Sequence, residues 1–360
     1  MLELIRNGSE LDFRKRLRLV AMLSWPAIVA QFSSIAMQYI DAAMVGRLSA
    51  ADSASVGLMS SSLWLFWGVC SAMTVGFTVQ VAHRIGASDR NGAVAVFRQS
   101  IICSLIFGIV IAAVGIAIAG RLPEMLGGDA SICGGASLYF SVFVAALPIL
   151  TMNYLGCGML RCVGNMRAAG AISVAMCVLD VIFNWFLIFP DRTLAIGSFT
   201  MTVPGADLGI LGAALGTVAA EAVSASLAMW WVWHREPQLS PQPSSKGGFR
   251  PTAAVVRNAF RISAPMSLEH AVICGAQIAV TTIVAPLGVI AIAANSFAVT
   301  AEALCYMPGY GIADAATTLV GQSYGAGRHR LARQFGYLTV GAGMAVMTLM
   351  GILMWVFAPE

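Results

Sequence analysis

Apolar runs of twenty to thirty residues, separated by short charged or Gly/Pro-rich breaks, recur along the whole chain. As helices, such runs suffice to cross a bilayer, which takes about 20 residues, and they lack the alternation of outer-membrane barrel strands. In lipid every backbone group must be satisfied internally, so a chain of this kind folds as a bundle of helices. Composition agrees: 58% of the 360 residues are hydrophobic and 11% are charged, against about 25% charged in a soluble protein. The predicted fold class is all-α and polytopic, with the lipid bilayer as an obligatory partner. The net charge of +4 points to no nucleic acid, because the basic residues follow membrane topology. Eight cysteines lie mostly inside apolar runs, with no CxxC pair and no clustered histidines, so neither a metal site, a disulfide scaffold nor a cofactor is expected.

Nine spans are predicted, near 17–46, 52–82, 95–120, 131–158, 168–190, 208–233, 256–286, 289–319 and 334–358. With the N-terminus in the cytoplasm, 18 of the 21 Lys and Arg residues fall inside, leaving Arg47, Arg121 and Arg192 outside. That is a strong positive-inside signal, and the expected location is the cytoplasmic (inner) membrane. The Pro/Ser/Gly-rich stretch 236–252 reads as a cytoplasmic linker. It divides an N-terminal six-helix lobe, 1–235, from a C-terminal lobe of three helices, 253–360.

The chain repeats itself at an offset of 239 residues. Pro26 falls on Pro265, and Gly86-Ala87-Ser88 falls on Gly325-Ala326-Gly327 without a gap. An even number of spans precedes the second copy, so the repeats are parallel. The second copy ends after its third span, so either a truncated version of a twelve-span protein or an unusually short natural chain is expected.

Six acidic residues lie within spans: Asp41, Asp180, Glu221, Glu269, Glu302 and Asp314. Each would cost ~2.5–3.5 kcal/mol at the bilayer centre, and no Lys or Arg sits mid-span to pair with it. They are expected to face a cavity or one another, and a buried carboxylate without a cationic partner exchanges protons or takes a cation. Helical spacing draws the same picture. Gln31, Ser34, Gln38 and Asp41 share one face of the first span, and Ser173, Cys177, Asp180 and Asn184 one face of the fifth. Thr217, Glu221 and Ser224 do so on the sixth, and His270, Cys274, Gln277 and Thr281 on the seventh. Interhelical hydrogen bonding is the plain alternative for the uncharged members. Pro26 and Pro265 remove a backbone hydrogen bond within their helices and are candidate hinges. Gly205 with Gly209, and Gly212 with Gly216, read as small-xxx-small packing faces. No nucleophile elbow, HExxH or P-loop is present, so an enzyme is not expected and transport would draw on an ion gradient.

Pro26 followed by Asp41 and MVGRLSAADSASVG, the turn RIGAS with its counterpart VGQSYGAGRHRLA, and GMLRCVGNMRAAG before the fifth span resemble the multidrug and toxic compound extrusion (MATE) transporters. The resemblance implies two helical bundles in a V, alternating access, and export of small amphipathic organic cations in exchange for Na⁺ or H⁺ by a monomer. By position it implies that Asp41 binds the coupling ion, with Tyr139, Asn153, Asp180, Asn184 and Thr217 near it. Archaeal-type members are expected to carry Asn and then Asp on the fifth span, whereas this chain has Asp180 and then Asn184. Other branches place an essential acid in the C-terminal lobe, for which Glu269 is the nearest candidate. Rival readings are a lipid-linked oligosaccharide flippase of the same superfamily, which would need a basic central cavity, and a polytopic lipid-modifying enzyme, which would need His, Asp or Ser clustered at an interface.

Overall fold

Polar residues between the apolar runs start the helices. Ser49 accepts the Asp52 N–H at 3.0 Å, Asp89 the Gly92 N–H at 2.9 Å, and Asn165 the Ala168 N–H at 3.1 Å. Each satisfies a donor that the first helical turn leaves unpaired. The computed structural model describes residue 5 and residues 11–196, 199–240, 248–284 and 289–357; side chains at 50, 192–203, 278, 281–282, 289–297 and 299–301 lie outside that description.

The helices are α1 (Phe13–Val45), α2 (Ala50–Gly86), α3 (Arg90–Ala119), α4 (Ala130–Ala145), α5 (Leu147–Val163), α6 (Met166–Ile188), α7 (Gly209–Arg235), α8 (Ala253–Val284), α9 (Val289–Gly325) and α10 (His329–Phe357). Among the described residues, six are long and apolar enough to cross a membrane by themselves, and the α4–α5 pair makes a seventh. That pair is the predicted fourth span, bent by 46° at Ala146. Pro148 sits in the first turn of α5 and has no N–H to continue the α4 ladder. This span also runs beyond its expected end at 158, until Gly164 at φ +93° stops it. Between α6 and α7 an antiparallel hairpin, β1 (Arg192–Ile196) with β2 (Phe199–Val203), pairs Arg192 with Val203. The expected linker begins and ends at the helix termini Arg235 and Ala253. Its two ends are held, by Arg90 donating to the Ser240 carbonyl and Thr252 donating to Gln99; residues 241–247 lie outside the described residues.

The helix boundaries follow the repeat. Adding the 239-residue offset to Ala50–Gly86 gives Val289–Gly325, and adding it to Arg90 gives His329. Ser88 and Gly327 are equivalent too, and both adopt positive φ, 59° and 72°. The two copies meet crosswise: α1 packs on α9, and α8 packs on α2. At one end the crossing is symmetric. A Cβ on Gly86 would lie 2.1 Å from the Gln322 carbonyl oxygen, and one on Gly325 would lie 2.0 Å from the His83 carbonyl oxygen. His83 and Gln322 are themselves repeat equivalents.

At the α2–α3 turn, Asp89 also accepts from Arg84 at 2.6 Å. The Gly92 N–H, then the Arg84 guanidinium, hold the Asp89 carboxyl below its usual range. Both side chains are largely exposed, so the cap matters more than the ion pair. Asp89→Ala is expected to cost about 1 kcal/mol at neutral pH, read as a lower Tm in detergent. A lowered carboxyl pKa stabilises above the unfolded value, and that stability is lost as pH falls through the folded one. The difference between the two proteins therefore shrinks on acidification below about pH 4.

Candidate functional site

Three polar side chains that lie far apart in sequence converge inside the N-terminal lobe. Asp41 comes from α1, and Asp180 and Asn184 stand one turn apart on α6. The Asn184 amide bridges the two acids, donating to Asp41 Oδ1 at 2.9 Å and to Asp180 Oδ2 at 3.1 Å. Asp180 and Asn184 are both 0% exposed, and Asp180 Oδ1 and Asn184 Oδ1 are buried without a hydrogen-bond partner. Asp180 also lies near Asp41 and near Thr217 on α7, whose hydroxyl donates to the Ala213 carbonyl at 3.2 Å, and Tyr139 on α4 lies near both acids. The expected grouping of Asp41, Tyr139, Asp180, Asn184 and Thr217 is thus present in the geometry.

Close helix approach makes room for it. A Cβ on Gly216 would lie 2.0 Å from Asn184 Oδ1, and one on Gly212 would lie 2.3 Å from the Leu187 carbonyl oxygen. Those glycines let α7 press onto α6, as the small-xxx-small spacing suggests, and Gly216 leaves space for the bridging amide itself. Asp180→Asn184 order also has a consequence: the amide, not a carboxylate, is the group that spans from α6 to Asp41.

Asn153 does not join this cluster. Its Nδ2 donates a short hydrogen bond to Glu221 Oε2, while its Oδ1 accepts from Ser224 at 2.9 Å. Ser34 sits with Cys177 beside the acids, Gln31 is half-buried and Gln38 is exposed.

In the C-terminal lobe the acids of the predicted spans are placed differently. Ala259, Ser263 and His270 form the face of α8 that packs on α2, with the His270 ring over Gly68 and the Ser263 hydroxyl bonded to the Met73 carbonyl. Glu269 is one residue, about 100° of helix, away from His270 and so points off this face; it is exposed, near Tyr310. Gln277 is exposed as well, and Glu302 is exposed near Tyr306; Thr281 lies outside the described side chains.

Asp314 corrects the expectation of acids without cationic partners: its Oδ1 lies 3.0 Å from Arg161 Nη1. The physical reason is that α5 reaches past its expected end and carries Arg161 to the lobe crossing, opposite α9. Thr318 donates to the Arg161 carbonyl at 2.7 Å, and Gln322 donates to the Cys162 carbonyl at 2.7 Å. These inter-lobe contacts went unread in the sequence, although Arg161 stands within the GMLRCVGNMRAAG segment. The two candidate hinges lie inside continuous helices, and the Pro26 carbonyl packs where a Cβ on Gly170 would lie 2.9 Å from it.

A parallel helical repeat that crosses itself, with buried acids in one lobe and spans of membrane length, defines a multi-pass membrane transporter. The MatE family pattern matches residues 26–186 and 265–360, two stretches that begin at the repeat-equivalent prolines. The chain belongs to the MatE family, the MATE transporters. A "Probable multidrug resistance protein NorM" of Pseudomonas syringae pv. tomato is 25% identical over 345 residues, 95% of this chain and 71% of that protein. Among solved structures, a MOP superfamily transporter from Pyrococcus furiosus superposes with a TM-score of 0.85 at 22% identity, over 99% of this chain and 74% of that one. A MATE protein crystallised in complex with MaL6 gives 0.86 at 22% identity over the same shares.

Proposed function

We propose that this protein is a secondary active multidrug efflux transporter of the cytoplasmic membrane, with its N-terminus inside. It works as a monomer and exports amphipathic organic cations in exchange for Na⁺ or H⁺. Multidrug resistance proteins among its relatives support the class. The observation that carries the coupling mechanism is the Asn184 bridge between Asp41 and Asp180.

Two carboxylates in one cluster, with no cationic side chain among the described residues in an ion pair with either, are balanced by a shared proton or by a bound cation. The unpartnered Asp180 Oδ1 and Asn184 Oδ1 are both acceptors. A cation is a partner that acceptor oxygens of this kind can take, and an oxygen ligand set is hard-ligand chemistry suited to Na⁺. Asp41 lies on α1, which packs both on α6 and on α9 of the other lobe. Ion occupancy that draws Asp41 toward Asp180 therefore bears on the seam between the lobes. It drives a conformational change only to the extent that one state binds the ion better. A flippase for a pyrophosphate-linked lipid fits less well, because Arg161, a cation at the lobe crossing, is already paired with Asp314.

The test is efflux of a fluorescent organic cation from membrane vesicles with Na⁺ and pH gradients imposed separately. Flux driven by either gradient is expected, with Na⁺ the stronger at neutral pH. Flux that follows neither gradient would overturn the assignment.

A further inference from the structure

We infer that Glu221 is a second exchange site in the N-terminal lobe, one that takes a proton rather than a metal ion. It stands between the Asp41–Asp180–Asn184 cluster and the inter-lobe ion pair. The inference rests on the efflux reading above and deepens it.

Glu221 lies on α7 one turn beyond Thr217, so it continues the polar face that touches Asp180. Its Oε2 accepts from Asn153 Nδ2. The orientation of that amide is set by Met176 Sδ, an acceptor only, which lies 3.7 Å from Nδ2, while Oδ1 accepts from Ser224 Oγ at 2.9 Å and from Cys157 Sγ at 3.6 Å. Asn153 can therefore offer Glu221 only N–H, which leaves Oε1 as the atom that carries the carboxyl proton. The other titratable groups that face Glu221 are Asp180 and Cys177 from α6 and Tyr154 and Cys157 from α5. Among the described residues, neither ion pair includes Glu221.

Its surroundings are softer than those of the first cluster, which has the Cys177 thiol beside it. Met176 Sδ lies 3.7 Å from the same Asn153 nitrogen and Cys157 lies beside it. Thioether and thiol are soft ligands with little affinity for Na⁺, and the oxygens beside Glu221, Asn153 Oδ1 and Ser224 Oγ, are already bonded to each other. A proton needs no shell. Taking one up converts Glu221 from a carboxylate with an amide for a partner to a neutral acid, and releasing it reverses the change. Asp180 is the nearest like charge, so cation binding at Asp180 lowers the electrostatic demand for a proton at Glu221. The two sites then respond to each other, and the coupling is reciprocal.

Position ties the site to the lobe seam. Asn153, Cys157 and Arg161 follow one another at four-residue spacing on one face of α5. That stripe begins at the amide bonded to Glu221 and ends at the guanidinium bonded to Asp314 of the other lobe.

The test uses Glu221→Gln in proteoliposomes with Na⁺ equal on both sides. The amide oxygen of Gln can still accept from Asn153, so a merely structural staple is preserved while proton exchange is lost. Substrate counterflow, which needs no net ion movement, is expected to persist. The slope of log substrate accumulation against imposed ΔpH is expected to fall by one proton per substrate. An unchanged slope in an active protein would overturn the Glu221 site and leave the transporter assignment standing, and so would loss of counterflow in folded Glu221→Gln. Absence of any gradient-driven accumulation by the unsubstituted protein would overturn both. Should Glu221→Gln not be recovered folded, Glu221→Asp must shift the pH midpoint of transport, and an unshifted midpoint counts against the site.

Discussion

Asp41→Asn is expected to reduce efflux of a fluorescent cation by roughly 100-fold, the equivalent of about 3 kcal/mol of ion binding that no longer distinguishes one conformation from the other. The substitution keeps the shape of the side chain and an oxygen that accepts from Asn184 Nδ2, so the α1–α6 contact survives. What disappears is one of two negative charges. With Asp180 alone the cluster can be neutralised by a single proton, and the pull that a cation exerts between α1 and α6 is gone. Asp180→Asn is expected to do the same from the other side of the bridge. A role as hydrogen-bond glue predicts the opposite result, because an amide serves that role as well as a carboxylate. Undiminished efflux at normal expression would therefore sink the coupling mechanism, and the assay needs a protein-level control to be read in this way.

Alanine at Gly86 or at Gly325 is expected to shift the protein away from the conformation in which these glycines touch the other lobe. The added methyl groups would stand 2.1 Å and 2.0 Å from backbone carbonyl oxygens of Gln322 and His83. Backbone carbonyls held in the last turn of a helix cannot swing aside as a long side chain can, so the helices themselves must separate. Overpacking of this kind costs about 1–3 kcal/mol per site, a population change of roughly 5- to 150-fold. The two positions act on one crossing and should not be additive. Thiol labelling of a cysteine placed at Thr318, which donates to the Arg161 carbonyl across the lobe crossing, reads separation of the crossing directly. Faster labelling in Gly86→Ala and Gly325→Ala, with unchanged labelling in Gly343→Ala, where a Cβ meets nothing within 4 Å, is the expected pattern. Equal labelling in all three would show that the crossing does not separate.

Much of the architecture was legible because membrane helices are written in long, one-dimensional signals. Span positions, the repeat and the helix boundaries it implies follow from apolar length and from glycine and proline landmarks, which need no knowledge of neighbours. The same is true of the helix-face argument for Asp41, Asp180 and Thr217, since i, i+3 and i+4 spacing puts side chains on one face wherever the helix goes. Asp314 shows where such reasoning stops. Its partner lies 153 residues away, and nothing in its own span announces that α5 brings Arg161 to it. Glu269 shows the converse: its neighbour His270 shares the interface with α2, while Glu269 itself turns away from it. The bend at Ala146 also escaped a reading by apolar length, because the hydropathy of the run is continuous through Pro148.

By itself the sequence determined that this chain lives in a membrane as helices, that it carries a parallel repeat, and that acids within its spans call for a cavity or for one another. Those conclusions rest on solvation and periodicity, which are properties of each segment taken alone. Only the tertiary structure decided which acids meet, that Asn184 bridges Asp41 to Asp180, that Asn153 serves Glu221 instead, and that Asp314 is held by Arg161. Each of these depends on the relative rotation and depth of two helices, and close contacts at residues such as Gly216 and Gly86 set that rotation and depth through packing across the whole bundle.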